Sequence, residues 1–151
     1  MKIRIIIALI GCFIAASLTN LNAQDKHWGV GILTGSANSA NVLYQFSDKH
    51  SLNLSGLFNT QRSFHMSLDF NIRNYEKTTV SHGKLPIYYG AGVEIWDTDN
   101  TESGFDFGIR IPAGLIYKPD SFPVEIFAEL APMINFDILR LQNQLGLRFL
   151  F

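Results

Sequence analysis

Between Ser63 and Ile72 every second residue is apolar. Phe64, Met66, Leu68, Phe70 and Ile72 alternate with Ser63, His65, Ser67, Asp69 and Asn71. A period of two sends successive side chains to opposite faces of a strand, a pattern that no helix produces. The pattern returns at Phe105, Phe107, Ile109, Ile111, Ala113, Leu115 and Tyr117, set against Asp106, Gly108, Arg110, Pro112 and Gly114. A chain with such strands must bury or solvate one apolar and one polar face of the same sheet.

Six more stretches fit the period, giving eight predicted strands in all. They are Trp28 to Leu33, about Ala40 to Phe46, Ser51 to Phe58, Pro86 to Trp96, Val124 to about Pro132, and Gln142 to Phe151; the polar-faced strand above extends from Ser63 to Arg73. Turn residues separate them at 35–38, 47–50, 59–62 and 118–123. Asn74 to Lys84 is polar and Asp97 to Gly104 acidic, and neither carries a strand pattern. Met133 to Leu141 is predicted as an irregular connection.

Which environment meets which face is decided by the lysines. A soluble lipocalin-like barrel or a β-sandwich would wet its polar face and carry lysines along its strands. Here Lys26, Lys49, Lys77, Lys84 and Lys118 all fall in a terminus, turn or loop. The strand polar faces hold Gly, Ser, Asn and a few charges that can pair, which suits an interior filled by side chains. The prediction is an all-β fold: an eight-stranded antiparallel up-and-down transmembrane β-barrel, the smallest membrane-barrel size. Tyr44, Phe46, Tyr89, Tyr117, Phe149 and Phe151 fall near strand ends on one side, as an interfacial girdle requires.

Residues 1–23 read as a cleaved signal peptide, leaving 24–151 as the barrel domain. Lys2 and Arg4 form a positive start, Ile5 to Leu18 is apolar or small, and Leu21-Asn22-Ala23 ends on the small residue that a cleavage site needs. The apolar run is shorter than the roughly 20 residues of a spanning helix. Cys12, the only cysteine, follows Leu9-Ile10-Gly11, which looks like a lipobox; lipidation there is the alternative to removal. Without Lys2 and Arg4 the mature part keeps 10 of 12 basic residues against all 13 acidic ones, a net charge of −3. That argues against a nucleic-acid partner. His27, His50 and His82 have no metal-ligand spacing, and no cofactor is expected.

Gln144-Leu145-Gly146-Leu147-Arg148-Phe149-Leu150-Phe151 ends the chain on an aromatic residue with apolar residues alternating before it. This looks like the C-terminal signal, carried here by Phe149 and Phe151, through which the outer-membrane assembly machinery recognises its clients. Residues 28–151 resemble the small eight-stranded outer-membrane barrels of Gram-negative bacteria, the class of OmpX and the OmpA barrel. Leu85 to Gly92 and Phe127 to Pro132 also look like segments of such barrels with no assigned function. The resemblance implies export across the inner membrane, residence in the outer membrane, lipid and assembly machinery as partners, and a monomer. The predicted external loops are short, unlike the long hairpins of OmpX, so an adhesin role does not carry over.

On this reading the lumen holds His65, Asp69, Glu94, Asp106, Arg110, Glu125, Glu129 and Arg148. Folding the predicted hairpins about Asp120–Ser121 and about Ile138 sets Arg110 diagonally near Glu129 and Arg148 beside the same Glu129. The expected site is therefore a charge cluster of Arg110, Glu129 and Arg148, with Asp69, Glu94 and Asp106 nearby and Glu125 closer to the rim. A plug of paired charges makes the protein a pore-less barrel with a structural or general envelope role; a gate would make it a narrow channel for ions or small solutes. A remoter alternative is a lipid-modifying enzyme. His65-Met66-Ser67 is similar to the His-x-Ser motif of the lipid A deacylases, although Leu68 stands where that motif has Asn.

Overall fold

The structure, a computed structural model, describes residues 27–36, 38–58, 64–75, 82–97, 104–136 and 138–151. Residues 1–23, Cys12 included, lie outside them. The described residues form nine strands: β1 (Trp28–Gly35), β2 (Ser39–Gln45), β3 (His50–Phe58), β4 (Phe64–Asn74), β5 (Ile87–Asp97), β6 (Phe105–Arg110), β7 (Ala113–Tyr117), β8 (Val124–Ile134) and β9 (Leu139–Leu150). β6 and β7 are two lengths of one strand. Pro112 lacks an N–H and so interrupts the ladder. The register with β5 nevertheless runs on unshifted, with Gly92 facing Arg110 before the break and Tyr89 facing Ala113 after it. The neighbours compensate: Gly90 N–H donates to Pro112 O at 2.8 Å, and Ile111 N–H to Pro132 O at 2.9 Å.

Every neighbouring pair is antiparallel, and β1 pairs with β9, so the sheet closes on itself as an eight-stranded barrel. Closure leaves no strand edge along the seam. It is completed just past the end of β9 by Phe151, whose backbone N–H and C=O groups bond reciprocally with those of Trp28 at 2.9 and 3.2 Å. One predicted connection is corrected. Met133 and Ile134 belong to β8 and Leu139 to Leu141 to β9, with Ile134 facing Leu139. The turn is therefore four residues long, 135–138, because the alternation of both strands carries on through sequence that looked irregular. Asn74, expected to begin a loop, ends β4.

The outward face is apolar, as the alternation predicts. Ile32 is 68% exposed, Phe107 62%, Ile109 60% and Leu145 60%. At the end that holds the described chain termini, Trp28, Tyr44 and Phe46 pack ring to ring, with centroids 4.6 and 4.9 Å apart. Phe70 continues the belt, 6.5 Å from Phe46 and 5.8 Å from His50.

Large inward side chains are accommodated by glycines on neighbouring strands. Gly146 gives its space to the Phe127 ring and Leu33, Gly114 to Tyr88, Gly108 to Met133, and Gly29 to Arg148. The interior is thus packed to the tightness of a protein core and not left as a tube. A Cβ on Gly146 would collide with the Phe127 ring and lie 2.8 Å from Leu33. Gly146→Ala is expected to destabilise the folded barrel by about 1–3 kcal/mol, the usual cost of overpacking. Urea titration in lipid or detergent measures it. An unchanged midpoint would show that Phe127 moves aside freely and that the interior is looser than described.

Candidate functional site: the luminal charge networks

Alternation alone brings the charged side chains inward. On β4 the inward positions are Ser67, Asp69, Asn71 and Arg73; on β5 they include Tyr88 and Glu94; on β8 Glu125, Phe127 and Glu129; on β9 Gln142, Gln144 and Arg148. All are buried although the molecule has no helix or second layer among the described residues to cover them. Only the closed sheet shields them.

The charges sort into two networks. In the first, Glu125 lies between two arginines. Arg73 donates to both its carboxylate oxygens, at 2.7 and 3.3 Å, and Arg148 Nη1 donates to Oε2 at 3.0 Å. Arg148 Nε–H donates to Asn41 Oδ1 at 2.8 Å, and Asn41 Nδ2 passes the chain on to Ser55 Oγ at 2.9 Å. The Arg148 guanidinium also lies over the Phe127 ring, 4.4 Å from its centroid, a favourable position for a desolvated cation. The two-pronged Arg73 contact is the strong, direction-fixing form of the pair.

In the second network one arginine meets three carboxylates. Arg110 contacts Glu129, lies 3.1 Å from Asp69 and 3.7 Å from Glu94, and donates to Ser67 Oγ at 3.3 Å. The Tyr88 hydroxyl donates to Glu129 Oε2 at 2.6 Å. Gln142 Nε2 donates to both oxygens of Glu94, at 2.8 and 3.0 Å, and His65 Nε2 lies 2.6 Å from Oε1. Between the networks, counted along β8, stands Phe127, packed with Leu33, Tyr88 and Ile116.

Arg110 and Glu129 are together, with Asp69 and Glu94 beside them. Arg148 is not with them: it faces Glu125 across β8 and β9, while Glu129 faces Gln144. The reason is the corrected turn, which shifts the partner of Arg148 by four residues along β8, from Glu129 to Glu125. Asp106 is also apart. It sits half-buried and accepts from Asn135 Nδ2 at 2.8 Å. Glu125, expected near a solvated rim, is 0% exposed. Arg73 escaped the sequence reading because it adjoins a polar loop, although it shares the parity of Asp69 and Asn71. Tyr88 shares the parity of Glu94, and Gln142 that of Gln144 and Arg148, but neither carries a charge that marks it in the sequence.

His65 and Ser67 each have another luminal partner. The histidine is engaged by Glu94, and the Ser67 hydroxyl, 1% exposed, accepts from Arg110. Among the described residues no group of three or more His, Cys, Asp or Glu side chains is arranged to hold a metal ion.

No protein-family model matches the sequence, and no curated protein does. Among solved structures, the N-terminal β-barrel domain of Pseudomonas aeruginosa OprF matches with a TM-score of 0.60, at 20% identity, over 82% of this chain and 95% of that one. The likeness is one of fold: a small, closed, antiparallel eight-stranded barrel.

The two networks differ in how many anions each cation has. Removing Glu125 leaves two buried guanidiniums with no carboxylate partner among the described residues, whereas removing Glu129 leaves Arg110 with Asp69 and Glu94. Glu125→Ala is therefore expected to cost about 3–5 kcal/mol, the cost of stranding a buried charge. Glu129→Ala should cost about 1–3 kcal/mol, chiefly from the Tyr88 hydroxyl losing its acceptor. Urea midpoints of the two variants give the order, and the opposite order would refute this division of the charges.

Proposed function

We propose that the protein is an outer-membrane β-barrel of a Gram-negative envelope, closed to solutes, with a structural role in that envelope and no enzymatic activity. The observation that carries the reading is the lumen: two buried charge networks separated by the Phe127 layer, with glycines facing the large side chains. Moving an ion through it requires breaking paired guanidinium–carboxylate contacts in a low-dielectric interior, which costs several kcal/mol for each charge exposed.

The membrane assignment rests on the outward face. Monomeric soluble proteins rarely expose contiguous apolar patches beyond a few hundred Å², yet here Leu, Ile, Val and Phe are exposed around the wall on every strand pair. Lipid is the solvent such a wall suits, and closure satisfies the backbone groups that lipid cannot. The export signal at residues 1–23 and the terminal Phe149 and Phe151, read by the barrel assembly machinery, belong to the same proposal. So do a monomeric state and the placing of both mature termini on the periplasmic side, an even strand number putting them on the same side.

Nothing in the contacts of His65 and Ser67 favours the hydrolase alternative, and the narrow channel is the outcome that the test would reveal. The refolded protein in planar bilayers with concentrated KCl should give no discrete conductance steps. Reproducible unitary steps from the purified monomer would contradict the closed lumen and establish the channel.

A further inference from the structure

Four buried polar side chains beside the Glu125 network have groups without a hydrogen-bond partner among the described residues. Ser51 Oγ, Asn53 Oδ1, both amide atoms of Asn71, and Arg73 Nε lack hydrogen-bond partners. Their exposures are 0% for Ser51, 1% for Asn71, 2% for Arg73 and 8% for Asn53. Buried polar atoms in folded proteins are almost always satisfied by protein or by ordered water. Ser51 faces Asn71 across β3 and β4, with Asn53 and Arg73 two residues to either side of that pair, and all four line one cavity. They line one side of it, a space of about 10 Å³, closed on the other by Tyr88, Ile116 and Phe127.

We propose that this cavity is a binding site for a single water molecule, which completes the coordination of Arg73. The size is that of one water, for which about 10–15 Å³ suffices. The chemistry selects water over an ion. Among the unpaired groups of its lining residues, Arg73 Nε–H and Asn71 Nδ2–H can donate, Asn71 Oδ1 and Asn53 Oδ1 can accept, and the Ser51 hydroxyl can do either. A water molecule gives two hydrogen bonds and takes two. A halide would face two carbonyl oxygens, and a cation would face the Arg73 and Arg148 guanidiniums, both of which border the cavity. Gly90 makes the room, because a Cβ there would occupy the space of the Asn71 carboxamide. Anchored through its Nε–H, the Arg73 guanidinium is held flat for its two-pronged contact with Glu125. The site is thus a positioning element of the first network.

The test is NMR on isotopically labelled protein refolded in micelles. Rotating-frame spectra separate dipolar cross-peaks of a long-lived bound water from chemical exchange by sign. The wild type should show dipolar water cross-peaks at the Asn71 side-chain amide and at Arg73 Nε–H, unchanged by added bromide. Asn71→Leu places methyl groups in the cavity and should abolish the Arg73 cross-peak. If that variant fails to fold, Ser51→Ala removes one partner of the water and should weaken the same peak. Absence of both cross-peaks in the wild type would overturn the proposal. So would shifts at these groups on bromide addition, which would make the site an anion site, or an Arg73 cross-peak that survives either substitution at full intensity.

Discussion

Glu125, held between Arg73 and Arg148, is the contact on which the rest of the interior depends. It joins β4 to the β8–β9 hairpin, which is distant from it in sequence, at the end of the barrel where the described chain starts and stops. The contact exists because closure supplies it with a dry surrounding, and closure in turn needs those charges neutralised. Neither condition is met in a partly formed sheet, so the last strand pairing and the charge pairing stabilise one another. The Phe127 ring beneath Arg148 and the Asn41 carboxamide at its Nε–H fix the guanidinium on its remaining sides.

From that point the interior is layered. A cation-rich network is followed along β8 by an apolar layer, and that by an anion-rich network around Arg110. Counting described residues, the first has two guanidiniums for one carboxylate and the second one guanidinium for three. Each imbalance is partly offset by the other across the apolar layer. Buried charges of this kind are weak contributors to stability taken singly and costly to expose. In this barrel they tie the wall together, linking β4 to β8 and β9 through Glu125.

Much of this was legible from a period of two. Parity put Asp69, Glu94, Arg110, Glu125, Glu129 and Arg148 inside, and it put Phe64, Leu68, Ile109 and Leu147 outside, where the structure has them. Parity does not fix register, however, because a strand slid by two residues keeps every side chain on its own face. The predicted turn at Ile138 was late, since Ile134 faces Leu139. Arg148 was therefore assigned to Glu129 when its neighbour is Glu125. Arg73 was hidden by the polar residues that follow it, and the luminal role of Tyr88 by its apolar ring. The break at Pro112 was invisible in the pattern, which runs through it without a change of phase.

The central claim is that the buried charges stabilise the barrel only as a complete set. It is tested most directly by comparing Glu125→Gln with the triple replacement Arg73→Met, Glu125→Leu, Arg148→Met in equilibrium urea unfolding from lipid vesicles. The single change strands two guanidiniums, while the triple change removes the charges and keeps most of the volume. The account predicts that the triple variant is at least as stable as Glu125→Gln. A triple variant clearly less stable than the single one would mean that the arginines stabilise the wall without their carboxylate, and would contradict the account.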